Sequence, residues 1–192
     1  MAVSKAKEQQ LKILGCTINF VQVGQGRRNL LLLPGWLGTW RSDFEGILDG
    51  FDHEEFTMVA WDPPGYGKST VEGYRRCIPH ECKLDAAKAH KLMKQLGLLP
   101  FSVLGWSEGG VTALHIAHKA PNTVSKVIIW GAPSYVTKEE VALSERRTQL
   151  NVFSPETKSR LITEYGEAEL EDMLKRTVQL NRWLNECHAF DT

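Results

Sequence analysis

No apolar run in this 192-residue chain approaches the roughly 18 consecutive residues that a membrane-spanning helix requires. The longest candidate, NLLLLPGWLG, is broken by Pro34 and Gly35, so a soluble protein without a membrane partner is expected. Charge of one sign is also missing. The 23 Lys and Arg residues balance 23 Asp and Glu, which removes the electrostatic basis for binding nucleic acid or an anionic surface. A small-molecule partner is the expectation. The opening MAVSKAKEQQ is polar and carries Glu8, with neither the apolar core of a secretory signal nor the Arg- and Ser-rich character of a mitochondrial presequence. A cytoplasmic location follows as the simplest expectation, with a mitochondrial one as the alternative. Cysteine is scarce: of the four, Cys77 and Cys82 are spaced too widely for a CxxC pair. Reduced structural thiols are expected, with no metal and no cofactor.

What is present is an alternation of apolar runs with helix-period stretches, the pattern of an α/β domain with a mostly parallel sheet. Leu11 to Val23 reads as a hairpin, NLLLL as a short buried strand, Phe44 to Leu48 as a weak helix and FTMVAW as a buried strand stopped by DPPGYG. Ala89, Leu92, Met93 and Leu96 form one apolar helix face. FSVLGW is then a strand, EGGVTALHIAHKA a helix and VSKVIIW a last strand. Beyond Gly131 only helices are expected: Thr137 with Glu140 makes a capping box, Ser154-Pro155 opens a second helix, and Leu170, Leu174 and Val178 mark a long third one.

The chemistry concentrates at LGWSEGGV. Gly105-Trp106-Ser107-Glu108-Gly109 fits G-x-S-x-G and stands where that motif belongs, between a buried strand and a helix. Such a turn strains the serine, needs glycine neighbours to avoid clashes, and aims the first N–H groups of the helix at a developing oxyanion. The alternative is a glycine-rich turn in which Ser107 only caps the helix. A second oxyanion donor would come from a loop after an earlier strand, for which Pro34-Gly35-Trp36-Leu37-Gly38 is the candidate. Two other glycine patterns fail. GYGKST has Asp62 where a phosphate loop needs its first glycine, and GQGRRN has Asn29 at the third glycine of a dinucleotide fingerprint.

LLLPGWLG, FTMVAWDPPGYGKS, VLGWSEGGVTALHIA and VIIWGAPSYVT together resemble successive segments of the α/β-hydrolase family, and within it the valacyclovir hydrolase branch. The resemblance implies an α/β-hydrolase fold, a mostly parallel sheet flanked by helices with a helical lid after the sixth strand. Residues 1–133 would be an incomplete core and 134–192 the start of the lid. It further implies a serine hydrolase of carboxylic esters, with α-amino-acid esters as the substrates, that works through an acyl-enzyme on Ser107. The N–H groups of Trp36 and Glu108 would bind the oxyanion. The Glu108 carboxylate would bind the substrate ammonium, although the family pattern has the shorter aspartate there.

That family orders its triad as Ser, then acid, then His, and after Ser107 one more strand is legible. The chain therefore reads as C-terminally truncated, its last strands missing, with little activity of its own. A non-catalytic binding or regulatory fragment is the alternative. His115 and His118 lie roughly 12 and 16 Å along the helix from Ser107 at 1.5 Å per residue, which reads as surface positions. His90 reads as solvent-exposed; His53 and His80 receive no role; His188 and Asp191 stand in reversed order near the terminus. Asp62 reads as a turn-former. The full-length form is expected to be monomeric. The truncated one would self-associate through the open edge of VSKVIIW, where Val127, Ile128 and Ile129 lie.

Overall fold

Four consecutive leucines show how the sheet is built. Leu31 and Leu33 enter one apolar cluster and Leu30 and Leu32 the other, because successive side chains of a strand point to opposite faces and both faces here are covered. The computed structural model of the chain describes residues 6–72 and 77–188. Among these, seven strands form one sheet: β1 (Glu8–Ile13), β2 (Cys16–Val23), β3 (Arg28–Leu33), β4 (Phe56–Trp61), β5 (Thr70–Val71), β6 (Phe101–Trp106) and β7 (Val124–Trp130). The order is β1-β2-β4-β3-β6-β7, with β5 paired to β2. β1, β5 and β4 run antiparallel to β2, whereas β4, β3, β6 and β7 are mutually parallel.

The helices are α1 (Trp40–Leu48), α2 (Glu81–Gln95), α3 (Glu108–Lys119), α4 (Lys138–Arg147), α5 (Pro155–Tyr165) and α6 (Glu167–His188). α1 lays Trp40, Phe44 and Leu48 on one face of the sheet; α2 and α3 lay Ala86, Ala89, Leu92, Met93, Ala113 and Ile116 on the other. The α1 helix starts four residues before the stretch expected from sequence, since Thr39 and Ser42 form a reciprocal capping box ahead of the apolar face. The two-residue β5 carries too little pattern to be legible in sequence.

Two compact units are present, Met1–Tyr74 with Cys82–Ala132 and Arg75–Glu81 with Pro133–Thr192. The first holds the sheet. In the second, α4 and α5 each pack against α6, which buries Leu170, Met173, Leu174 and Val178 along one side. The capping box of Thr137 with Glu140 and the Ser154 cap with Pro155 behind it start α4 and α5 as their sequences specify. Cys77 belongs to this unit: its N–H donates to the Glu81 carboxylate at 2.7 Å and its sulfur lies 3.1 Å from the Thr177 hydroxyl. No described helix is long and apolar enough to cross a membrane.

Candidate active site

From β3 the chain passes through α1 to β4 on one side, then returns through α2 to β6 on the other, so the winding reverses between β3 and β6. In open α/β sheets the crevice beyond the carboxyl ends of the strands at such a reversal is where ligands bind. Here β3 leads into Pro34–Gly38 and β6 into Ser107, with Leu33 and Gly105 as the last paired residues. The two sequence-selected segments are thereby neighbours.

Ser107 has φ 52° and ψ −124°, a backbone region costly for any residue but glycine. Its N–H donates to the Trp130 carbonyl at 3.0 Å, which ties the turn to β7, and its carbonyl accepts from Gly110 and Val111 as α3 begins. Ser107 occupies the N-cap position, yet its side chain makes no capping hydrogen bond. The helix-cap alternative is therefore not what the serine does. Glu108 is the first residue of α3, where the backbone N–H has no acceptor within the helix.

Close approach explains the glycines. A Cβ on Gly105 would strike the Gly109 carbonyl, and one on Gly109 would strike the carbonyls of Leu33 and Pro34. The elbow is pressed directly against the end of β3. In the loop beyond, Gly38 donates to the Gly35 carbonyl at 3.0 Å and closes a turn around Trp36 and Leu37. Leu37 takes φ 57° and is buried, a second strained residue held by its surroundings.

Sequence reasoning missed Asp43. One of its carboxylate oxygens, Oδ2, accepts from the Gly35 N–H at 3.0 Å and from the Trp106 indole N–H at 2.8 Å. An acidic residue in the first turn of a helix that Thr39 caps was the available signal.

Asp62 is 2% exposed and its carboxylate accepts from Asn19 Nδ2 at 2.8 Å, the Trp40 N–H at 3.1 Å and the Lys68 N–H at 3.0 Å. It organises the turn and the start of α1, as a turn-former would. No described histidine is hydrogen-bonded to Ser107. His118 is exposed and His115 half-buried on α3. His53 contacts the Leu48 carbonyl at 3.0 Å, and His80 meets the Trp183 ring edge-on. His90 departs from its expected exposure: it is half-buried, 2.9 Å from the Thr123 hydroxyl and packed near Phe101, because its flank of α2 also faces the sheet. His188 ends α6, and Asp191 lies outside the described residues.

Comparison with known proteins agrees with this layout. The chain is 39% identical over 166 residues to serine hydrolase BPHL of Mus musculus, spanning 86% of this chain and 55% of that protein. It is 37% identical over 190 residues to serine hydrolase BPHL of Homo sapiens, spanning 98% and 62%. The chain thus spans about three fifths of the length of these curated relatives. Among solved structures, an α/β hydrolase fold protein from Chitinophaga pinensis superposes with a TM-score of 0.70 at 21% identity, over 96% of this chain and 73% of that one. With residues 28–180 matching the family model for the α/β hydrolase fold, the chain belongs to the α/β-hydrolase family.

Proposed function

We propose that this chain carries the nucleophile and oxyanion site of a serine hydrolase acting on carboxylic esters, with α-amino-acid esters as the substrate class. The observation that supports it most is Ser107, strained at the strand-to-helix turn with a hydroxyl not used for capping. Ser107 Oγ adds to the ester carbonyl and gives up its proton to a base. The tetrahedral oxyanion is held by the N–H groups of Glu108 and Trp36; collapse expels the alcohol, and water then hydrolyses the acyl-enzyme. The Glu108 carboxylate binds the substrate ammonium. The relatives named serine hydrolase support the reaction class. Incubation with a fluorophosphonate, followed by peptide mapping, tests it: labelling confined to Ser107 and absent from Ser107→Ala is expected. An unlabelled Ser107 would rule out an activated nucleophile.

A second reading, a binding fragment without turnover that associates through its sheet edge, is favoured by β7. Among the described residues β7 is an edge strand, and Val127, Ile128, Ile129 and Trp130 are between 37% and 48% exposed. Such an edge offers both unpaired backbone groups and apolar surface to another chain.

A further inference from the structure

We infer that Asp43 is a positioning residue for the site proposed above, locking the loop after β3 to the elbow after β6 and so setting the Trp36 N–H against Ser107. The inference rests on the reading of Ser107 as nucleophile.

The two oxyanion donors come from segments that share no ladder beyond the Leu33–Gly105 pair. Past that pair, Asp43 Oδ2 joins them, accepting the Gly35 N–H from one segment and the Trp106 indole N–H from the other. Charged acceptors make such bonds shorter and stronger than neutral ones. Glycines fit the loop around this carboxylate. A Cβ on Gly35 would come within 2.8 Å of the Trp106 ring, so the loop packs closely against the indole. A Cβ on Gly38 would strike the carboxylate itself.

Asp43 is in turn held fast. Ser42 donates its hydroxyl to Oδ1, Ser42 is half of the capping box with Thr39, and the Trp40 N–H is anchored on buried Asp62. The first turn of α1 also favours a negative charge. An error of about 1 Å in placing a catalytic group can cost about a hundredfold in rate, and the Asp43 link spans the joint between the two segments that carry the oxyanion donors.

The test combines amide and indole hydrogen exchange with fluorophosphonate labelling kinetics on the full chain. In Asp43→Ala, exchange at the Gly35 N–H and the Trp106 indole N–H should rise roughly tenfold or more, with Leu31 and Val103 in the adjacent strands unchanged. The maximal labelling rate should fall about tenfold or more while the half-saturating probe concentration stays the same. Asp43→Asn keeps a carbonyl acceptor and should restore most of both. Unchanged exchange overturns the link. Raised exchange with wild-type labelling overturns the positioning role. A wild-type chain that does not label overturns the nucleophile reading and the positioning role with it, while the exchange data still decide the link. Should Asp43→Ala fail to fold, Trp106→Phe, which deletes one donor alone, must slow labelling in the same way; a wild-type rate there overturns the role.

Discussion

The Cα of Gly109 packs against the carbonyl of Leu33, leaving no room for a Cβ between the first turn of α3 and the end of β3. Because the obstacle is backbone in the centre of the sheet, it cannot move aside. Gly109→Ala should destabilise the fold by about 1–3 kcal/mol, read as a lower thermal midpoint. Gly110→Ala meets the Ala132 methyl at 2.7 Å and comes no nearer to backbone than 3.3 Å, at the Gly105 carbonyl. It should cost less, and an equal loss in both would contradict the packing argument.

Ser107 pays for its position in backbone strain, which a glycine there would not feel. Relief of about 1–3 kcal/mol is offset by the added freedom of the unfolded glycine, about 0.4–1 kcal/mol. Ser107→Gly should therefore be more stable than the parent by about 1 kcal/mol in chemical denaturation, and should lose all fluorophosphonate labelling.

Removing the Asp62 carboxylate strands three donors, Asn19 Nδ2 and the N–H groups of Trp40 and Lys68. At about 1–3 kcal/mol per buried unsatisfied group, Asp62→Ala should cost about 3 kcal/mol or more and fray the start of α1. Circular dichroism and denaturant titration would register both. Asp62→Asn should cost less.

His90 titrates below its usual range, chiefly because burial disfavours the imidazolium and secondarily through the Lys94 charge. The folded state thus holds its proton less tightly than the unfolded chain does. Its contribution to stability is complete above the unfolded value of about 6.5 and is lost as pH falls below that toward the folded value. The thermal midpoint of the parent should drop more between about pH 7.5 and pH 5.5 than that of His90→Gln. Equal drops would remove His90 as the cause.

The apolar edge of β7 predicts concentration-dependent self-association. Ile128, 48% exposed, sits near the middle of that strand. Ile128→Lys puts a charge on the edge, the device by which natural sheets block strand addition. Sedimentation velocity should show the parent associating and the variant shifted toward monomer; a parent that stays monomeric at high concentration would refute the surface.

The longer strands, their alternation and the strand-to-helix turn at Ser107 were legible in sequence because each depends on neighbours a few residues away, whereas the two-residue β5 was not. Buried strands appear as apolar runs, Thr137 with Glu140 and Ser154 with Pro155 mark helix starts, and the spacing of Gly105, Ser107 and Gly109 reflects local backbone sterics. The apolar character of VSKVIIW was also readable, since Val127, Ile128, Ile129 and Trp130 follow one another. His90 was not, because its partner Thr123 is 33 residues away and burial on that flank depends on which helix covers the sheet.

Sequence by itself therefore determined the fold class and singled out Ser107 by a pattern written in contiguous residues, while the roles expected of Trp36 and Glu108 came from the resemblance to the family. Tertiary structure alone decided what surrounds them. Asp43 lies 63 residues before Trp106, and Asp62 lies 43 beyond Asn19. A carboxylate carries no mark of which distant N–H groups it will accept from. Only the packing of α1 beside the carboxyl ends of β3 and β6 brings those donors to Asp43.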